Sequence, residues 1–167
     1  SWRNELEITD ALQMMLEENN IVNFEMITDY WKDTGTPEDI IHANGEILKN
    51  MKPYFSGTKE NGAELSSNTM IGNNSKLSSS SKLLGPCIIG ENCSIGENCT
   101  IGPNVSIGNN SKLKNCNIQN SIIMENCIID SNMKIRNSIL ASNSSITIDN
   151  ENDEKVLLLG EGTKISL

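Results

Sequence analysis

Aromatic side chains make up only 4% of this 167-residue sequence. A conventional packed core uses more of them, whereas a stack of short coils filled by Ile and Leu does not. No apolar run approaches the ~20 residues of a membrane span. No basic, apolar, small-residue signal segment is present either. We therefore expect a soluble, cytoplasmic protein with no membrane partner. Positive charge is the minority, with 13 Lys and Arg against 22 Asp and Glu and a net charge of −9. Phosphate backbones are held by clustered Lys and Arg, so nucleic acid is excluded as a partner. The excess acid reads as a device that keeps an oligomer in solution. There is a single histidine, His42, and none of the five cysteines (Cys87, Cys93, Cys99, Cys116 and Cys127) forms a C-x-x-C pair. That leaves no zinc-ligand spacing. An odd count without a secretion signal also argues against a disulfide framework, so the thiols are expected as small buried hydrophobes.

Three zones are present. In the first, residues 1–55, Ile8, Ala11, Leu12, Met15 and Leu16 fall on one face of a helix that Asn19 and Asn20 stop. "IVNFEMI", residues 21–27, alternates and predicts a strand. The loop "DYWKDTG" leads into Thr36-Pro37-Glu38-Asp39, a strong helix start. Thr36 can cap, Pro37 suits the first helical position, and the two acids favour the positive end of the helix dipole. Ile40, Ala43, Ile47 and Met51 continue that helix, and Pro53 ends it. A helix, a strand and a helix cannot bury both faces of a sheet. We expect this zone to be the tail of an α/β domain, in a piece of a longer protein that begins here without Met. The second zone, residues 56–64, is rich in Gly, Ser and Lys and reads as a linker.

The third zone, residues 65–167, is a repeat. Leu65, Ile71, Leu77, Leu83, Ile89, Ile95, Ile101, Ile107 and Leu113 recur every six residues. Small or β-branched residues follow four positions later, among them Thr69, Ser75, Cys87, Cys93, Cys99 and Val105. This is the hexapeptide β-helix pattern. Three hexads make one triangular coil, so residues eighteen apart stack. The predicted inward ladders are Ile71–Ile89–Ile107, Leu77–Ile95–Leu113 and Leu65–Leu83–Ile101. Recurrent "GNN", "GEN" and "GPN" supply corners where Asn and Gly tolerate positive φ. Prisms of this kind wind left-handed, against the usual crossover preference. After Leu113 the spacing shortens to five at Ile118 and Ile123 and returns to six at Ile129 and Ile135. Four to five coils are expected, about 20–25 Å tall, with the segment around "VLLLG" closing the open end.

Taken in order, "RNELEITDALQ", "YWKDTGTPEDIIHANGEIL" and "LLGPCIIGENCSIGENCTIGPNVSIG" resemble the C-terminal half of a sugar-1-phosphate nucleotidyltransferase, nearest the long form of glucose-1-phosphate thymidylyltransferase. The resemblance runs to about Ile146. It implies a mainly β chain, a left-handed parallel β-helix preceded by a helix-strand-helix remnant of an α/β nucleotidyltransferase domain. It implies a reaction in which a sugar 1-phosphate attacks the α-phosphorus of a nucleoside triphosphate and expels pyrophosphate, assisted by Mg²⁺. Asp33 matches the family's second metal-binding carboxylate and Arg3 an arginine that contacts the sugar phosphate. Asn4 stands where the family has Gly. The Gly-rich G-x-G-T-R loop, the first metal Asp and the E-K-P loop have no counterpart here, so this chain alone is expected to be inactive.

Two rival readings stand beside this one. Hexapeptide acyltransferases use a His base among the coils, and no His lies between Leu65 and Leu167. A pure assembly module is the other. Flat faces and coil ends suit a closed homo-oligomer, with a trimer favoured over a tetramer or dimer. Lys32, Trp31 and His42 are read as solvated or packing residues.

Overall fold

The computed structural model describes residues 7–147 and, beyond them, the strands Glu154–Lys155, Leu158–Leu159 and Lys164–Ser166. The described chain forms two compact units, divided between Lys32 and Asp33.

The first unit contains helix α1, Ile8–Glu17. Asn19 ends it in the left-handed region at φ 59°, the conformation that Asn adopts at a helix C-terminus. No residue of α1 is buried. The strand expected at residues 21–27 is not formed, and Ile21 and Phe24 are each 86% exposed. Alternation alone does not make a strand. The backbone must pair with a neighbour, and none of the described residues before Tyr54 is in a strand.

The second unit begins with helix α2, Pro37–Asn50. Thr36 caps it as expected. Its hydroxyl accepts from the Asp39 amide at 3.2 Å and donates to the Asp39 carboxylate at 2.7 Å. Met51 leaves the helix in an extended conformation two residues before Pro53.

From Tyr54 the chain winds into a left-handed parallel β-helix with three sheets of seven, seven and six strands. The first sheet runs from Tyr54–Phe55 to Leu158–Leu159, the second from Thr58–Lys59 to Lys164–Ser166, and the third from Glu64–Leu65 to Glu154–Lys155. The three predicted ladders are the observed ones. Ile71 pairs with Ile89 and Ile89 with Ile107; Leu77 with Ile95 and Ile95 with Leu113; Leu65 with Leu83 and Leu83 with Ile101. Ile118, Ile123, Ile129 and Ile135 continue them through the shortened spacing. The side chains fill one interior cluster.

Two expectations change. The stack has between six and seven coils rather than four to five, a height of about 29 Å at ~4.8 Å per coil. Residues 56–64 are not a linker, because Thr58–Lys59 pairs with Lys76–Leu77 as part of the first coil. Lys59 occupies a position in line with the inward ladder, and a Lys there hides the hydrophobic period. The described strands of the final segment stand in register in all three sheets, and the closure of the open end expected around "VLLLG" lies outside the described residues.

The corners are Asn corners. Asn74, Asn92, Asn98, Asn104 and Asn110 all have φ between 55° and 61°. Their amides bond along the stack, Asn74 to Asn92 at 3.1 Å and Asn98 to Asn115 at 3.0 Å. Most corner glycines serve a different end from the one expected. At Gly72 a Cβ would stand 2.7 Å from the Gly90 carbonyl, so close coil approach, not positive φ, requires glycine there.

Candidate functional site

The loop that carries Asp33 opens the unit that holds the β-helix. Asp33 is exposed. A Cβ on Gly35 would lie 3.9 Å from each of its carboxylate oxygens, so the carboxylate folds over Gly35 with ordinary room. One residue later Thr36 caps α2, which fixes the loop's exit onto a rigid element.

Helix α2 in turn lies on the outward face of the first sheet. The outward ladder there is Met70, Ile88, Ser106, Ile122 and Ile139, with no charge in it. Ile41, Gly45 and Leu48 form the buried stripe of α2. Ile41, Leu48 and Met70 are buried but stand outside the interior cluster, so they close the contact between helix and sheet. Ser106 donates to the Asn44 side-chain oxygen at 2.6 Å, and Asn68 donates to the Leu48 carbonyl at 3.5 Å. The Asn104 side chain rests against Gly45, 3.6 Å from where a Cβ would be. Asn44 Nδ2 and Asn104 Oδ1, a donor and an acceptor, are buried at this contact without partners.

None of this docking was legible as function. The sequence signal in α2 was the Ile40, Ala43, Ile47 stripe, yet Ile40 and Ile47 are exposed. The buried stripe is centred on Gly45, which carries no hydropathy. One clue was available: strands of the first sheet, such as "CII" and "SII", put an aliphatic residue on the outside as well as the inside.

The remaining candidates separate. Arg3 lies outside the described residues. Trp31, Lys32 and His42 are exposed. Among the described residues, no group of three or more His, Cys, Asp and Glu side chains is placed to hold a metal ion. Asp33 can thus give one carboxylate to a divalent cation. That fits Mg²⁺, which binds through one or two carboxylates and completes its shell with water and substrate phosphate. Among the described residues no helix is long and apolar enough to cross a membrane.

The five thiols are free and buried, as the sequence reading expected. Burial pushes the Cys87 thiol up to about 12 and raises Cys93 and Cys127. Cys99 and Cys116 stack with their sulfurs 3.7 Å apart, and the bond between them holds Cys116 well above its ordinary range. The protonated thiols of Cys87, Cys93, Cys116 and Cys127 are poor nucleophiles. A groove of about 270 Å³ on the second sheet, bordered by Lys59, Glu60, Lys76 and Ser94, includes neither Asp33 nor any part of α2.

Two protein families match this sequence. The nucleotidyl transferase family matches residues 1–50, and the GMPPB C-terminal domain matches residues 83–166, half of the chain. The low-salt glycan biosynthesis nucleotidyltransferase Agl11 of Haloferax volcanii is 47% identical over 58 residues, covering 35% of this chain and 16% of its own length. The bifunctional protein GlmU of Methanococcus vannielii is 39% identical over 71 residues, covering 42% and 17%. A glucose-1-phosphate thymidylyltransferase of Streptomyces griseus is 35% identical over 71 residues, covering 42% and 20%. The chain thus matches at most a fifth of the length of these relatives.

Proposed function

We infer the role of this chain from one premise, that it belongs to the sugar-1-phosphate nucleotidyltransferase family. On that premise it is the C-terminal part of an enzyme that joins a nucleoside triphosphate to a sugar 1-phosphate and releases pyrophosphate, with glucose 1-phosphate and dTTP as the first pair to try. The observation that carries this reading is continuity. Residues 1–50, matched by the nucleotidyl transferase family, end in the helix that sits on the β-helix.

The chemistry assigns roles as follows. Mg²⁺, when bound, neutralises the triphosphate oxygens and screens the attacking phosphate from their charge. Asp33 is one of its two carboxylate ligands, held open to solvent at the end of the loop. Arg3 presents a fork of donors to the sugar phosphate. The β-helix supports a closed homo-oligomer, a trimer in our reading. The nucleotide loop and the partner carboxylate belong to a region preceding this chain, so the chain alone is inactive. The acyltransferase reading lacks a base, because the single His is on α2 and no His occurs among the coils.

The test is pyrophosphate release with Mg²⁺, dTTP and glucose 1-phosphate. It is run on the 167-residue chain and on the chain joined to the preceding region of the Streptomyces griseus relative. The expected result is no release from the chain alone and release from the joined protein. Asp33→Ala in the joined protein should lower turnover by about 10²-fold or more and leave the oligomer intact by light scattering. Release by the chain alone, or unchanged turnover in Asp33→Ala, overturns the assignment.

A further inference from the structure

We propose that the β-helix is the mount that positions Asp33, acting through α2, with Ser106, Asn44, Gly45 and Asn104 as positioning residues. The proposal rests on the reading of Asp33 as a metal ligand. By sequence, α2 belongs to the nucleotidyl transferase match, which runs to residue 50. By packing, it belongs to the β-helix, since the compact unit that holds the coils begins at Asp33.

The mechanical chain is short. Asp33 is three residues from the cap Thr36, and Thr36 is bonded to the first turn of α2. The body of α2 is then held at two levels of one sheet, that of Asn68 and, two coils on, that of Asn104 and Ser106. Leu48 is tied near Asn68, Gly45 sits against the Asn104 side chain, and Asn44 takes the Ser106 hydroxyl. The helix also contacts the strand Ser121–Ile123. Shifts at the helix N-terminus are therefore resisted by a surface that is itself bonded on every coil. An exposed carboxylate on a free loop samples many positions, and a metal ligand must be held to a fraction of an ångström. The coils supply that constraint. The glycine is part of it, because a side chain longer than Cβ at position 45 would meet Asn104 and lift the helix from the sheet.

Two measurements test this. The first is amide hydrogen exchange on the 167-residue chain, comparing the native sequence with Ser106→Ala, Ser106→Thr and Gly45→Leu. Exchange of α2 and of residues 33–36 should rise about fivefold in Ser106→Ala, rise further in Gly45→Leu, and return toward native in Ser106→Thr. Interior amides at Ile95 and Ile101 should not change. Unchanged α2 exchange in both Ser106→Ala and Gly45→Leu would overturn the mount.

The second measurement is Mg²⁺ activation of the joined protein. Ser106→Ala should raise the Mg²⁺ concentration at half-saturation about fivefold, with the KM for dTTP unchanged. A merely structural defect would lower active enzyme without moving that midpoint. If Asp33→Ala cripples turnover while Ser106→Ala leaves the midpoint in place, positioning fails and the metal assignment survives. If Asp33→Ala has no effect, both fall together.

Discussion

Residues 8–17 and residues 65–146 are both periodic in sequence, yet only one of them buries what the period promises. Helix α1 has an apolar stripe and no buried residue. In the coils every inward Ile or Leu from Ile71 to Ile146 is 2% exposed or less. The difference lies in where the partner comes from. A helix forms on local hydrogen bonds and needs another element to cover its stripe. A coil's partner is the next coil, eighteen residues away in the same segment, so the repeat carries its own complement. Periodicity in a solenoid therefore reports burial, while periodicity in a lone helix reports only a demand for it.

The sharpest way to break this comparison is to place one charge in each region. Ile95 is 1% exposed and Ile21 is 86% exposed. Ile95→Asp would bury an unpaired carboxylate among Leu77 and Leu113 and should cost more than about 4 kcal/mol, enough to abolish cooperative melting by circular dichroism. Ile21→Asp should move the same transition by less than about 0.5 kcal/mol. Equal effects at the two sites would mean that residues 20–35 are part of the cooperative unit.

A smaller contrast uses two glycines. Gly102 has φ 106°, and a Cβ there would run into the Leu84 carbonyl. Gly35 has only the Asp33 carboxylate nearby, at 3.9 Å. Gly102→Ala should destabilise by about 3 kcal/mol, and Gly35→Ala should stay within about 0.5 kcal/mol, both read from urea midpoints.

The mildest test is pH. The Cys87 thiol is held near 12 by burial, against an ordinary value of 9.0. Its folded pKa lies above its unfolded pKa, so above pH 9 the unfolded chain loses the proton while the folded chain keeps it. Stability is then fully present below pH 9 and falls as pH rises, by about 1.4 kcal/mol per pH unit for this thiol. Cys93 and Cys127 shift in the same direction. Replacing Cys87 with Ala should flatten the decline between pH 9 and 10. An unchanged slope would show that Cys87 is not the group responsible.

The coils were legible because inward aliphatics and Asn corners are set by neighbours in the same sequence window. The register of Ile71, Leu77 and Leu83 needed no other information. What escaped reading was decided across longer distances. Thr58–Lys59 joins the ladder with a Lys in register, which no hydrophobic count detects. The segment at 21–27 alternates, yet no strand among the described residues pairs with it. Around the proposed site, the capped helix α2 was legible, while the role of Asp33 rests on the resemblance. Asp33 and its capped helix are marked by the motif, but the surface that holds the helix depends on Gly45, Asn104 and Ser106, which look like an ordinary helix residue and ordinary corner and strand residues.

A solenoid whose coils touch only their neighbours can unzip from either end, one coil at a time. Helix α2 changes that arithmetic, because it runs along the stack from the level of Asn68 to the strand Ser121–Ile123. It acts as a splint. Coils that share no contact with one another are tied to a common rod, so fraying that starts at either terminus should stall where the splint begins, and the coils beneath it should open together.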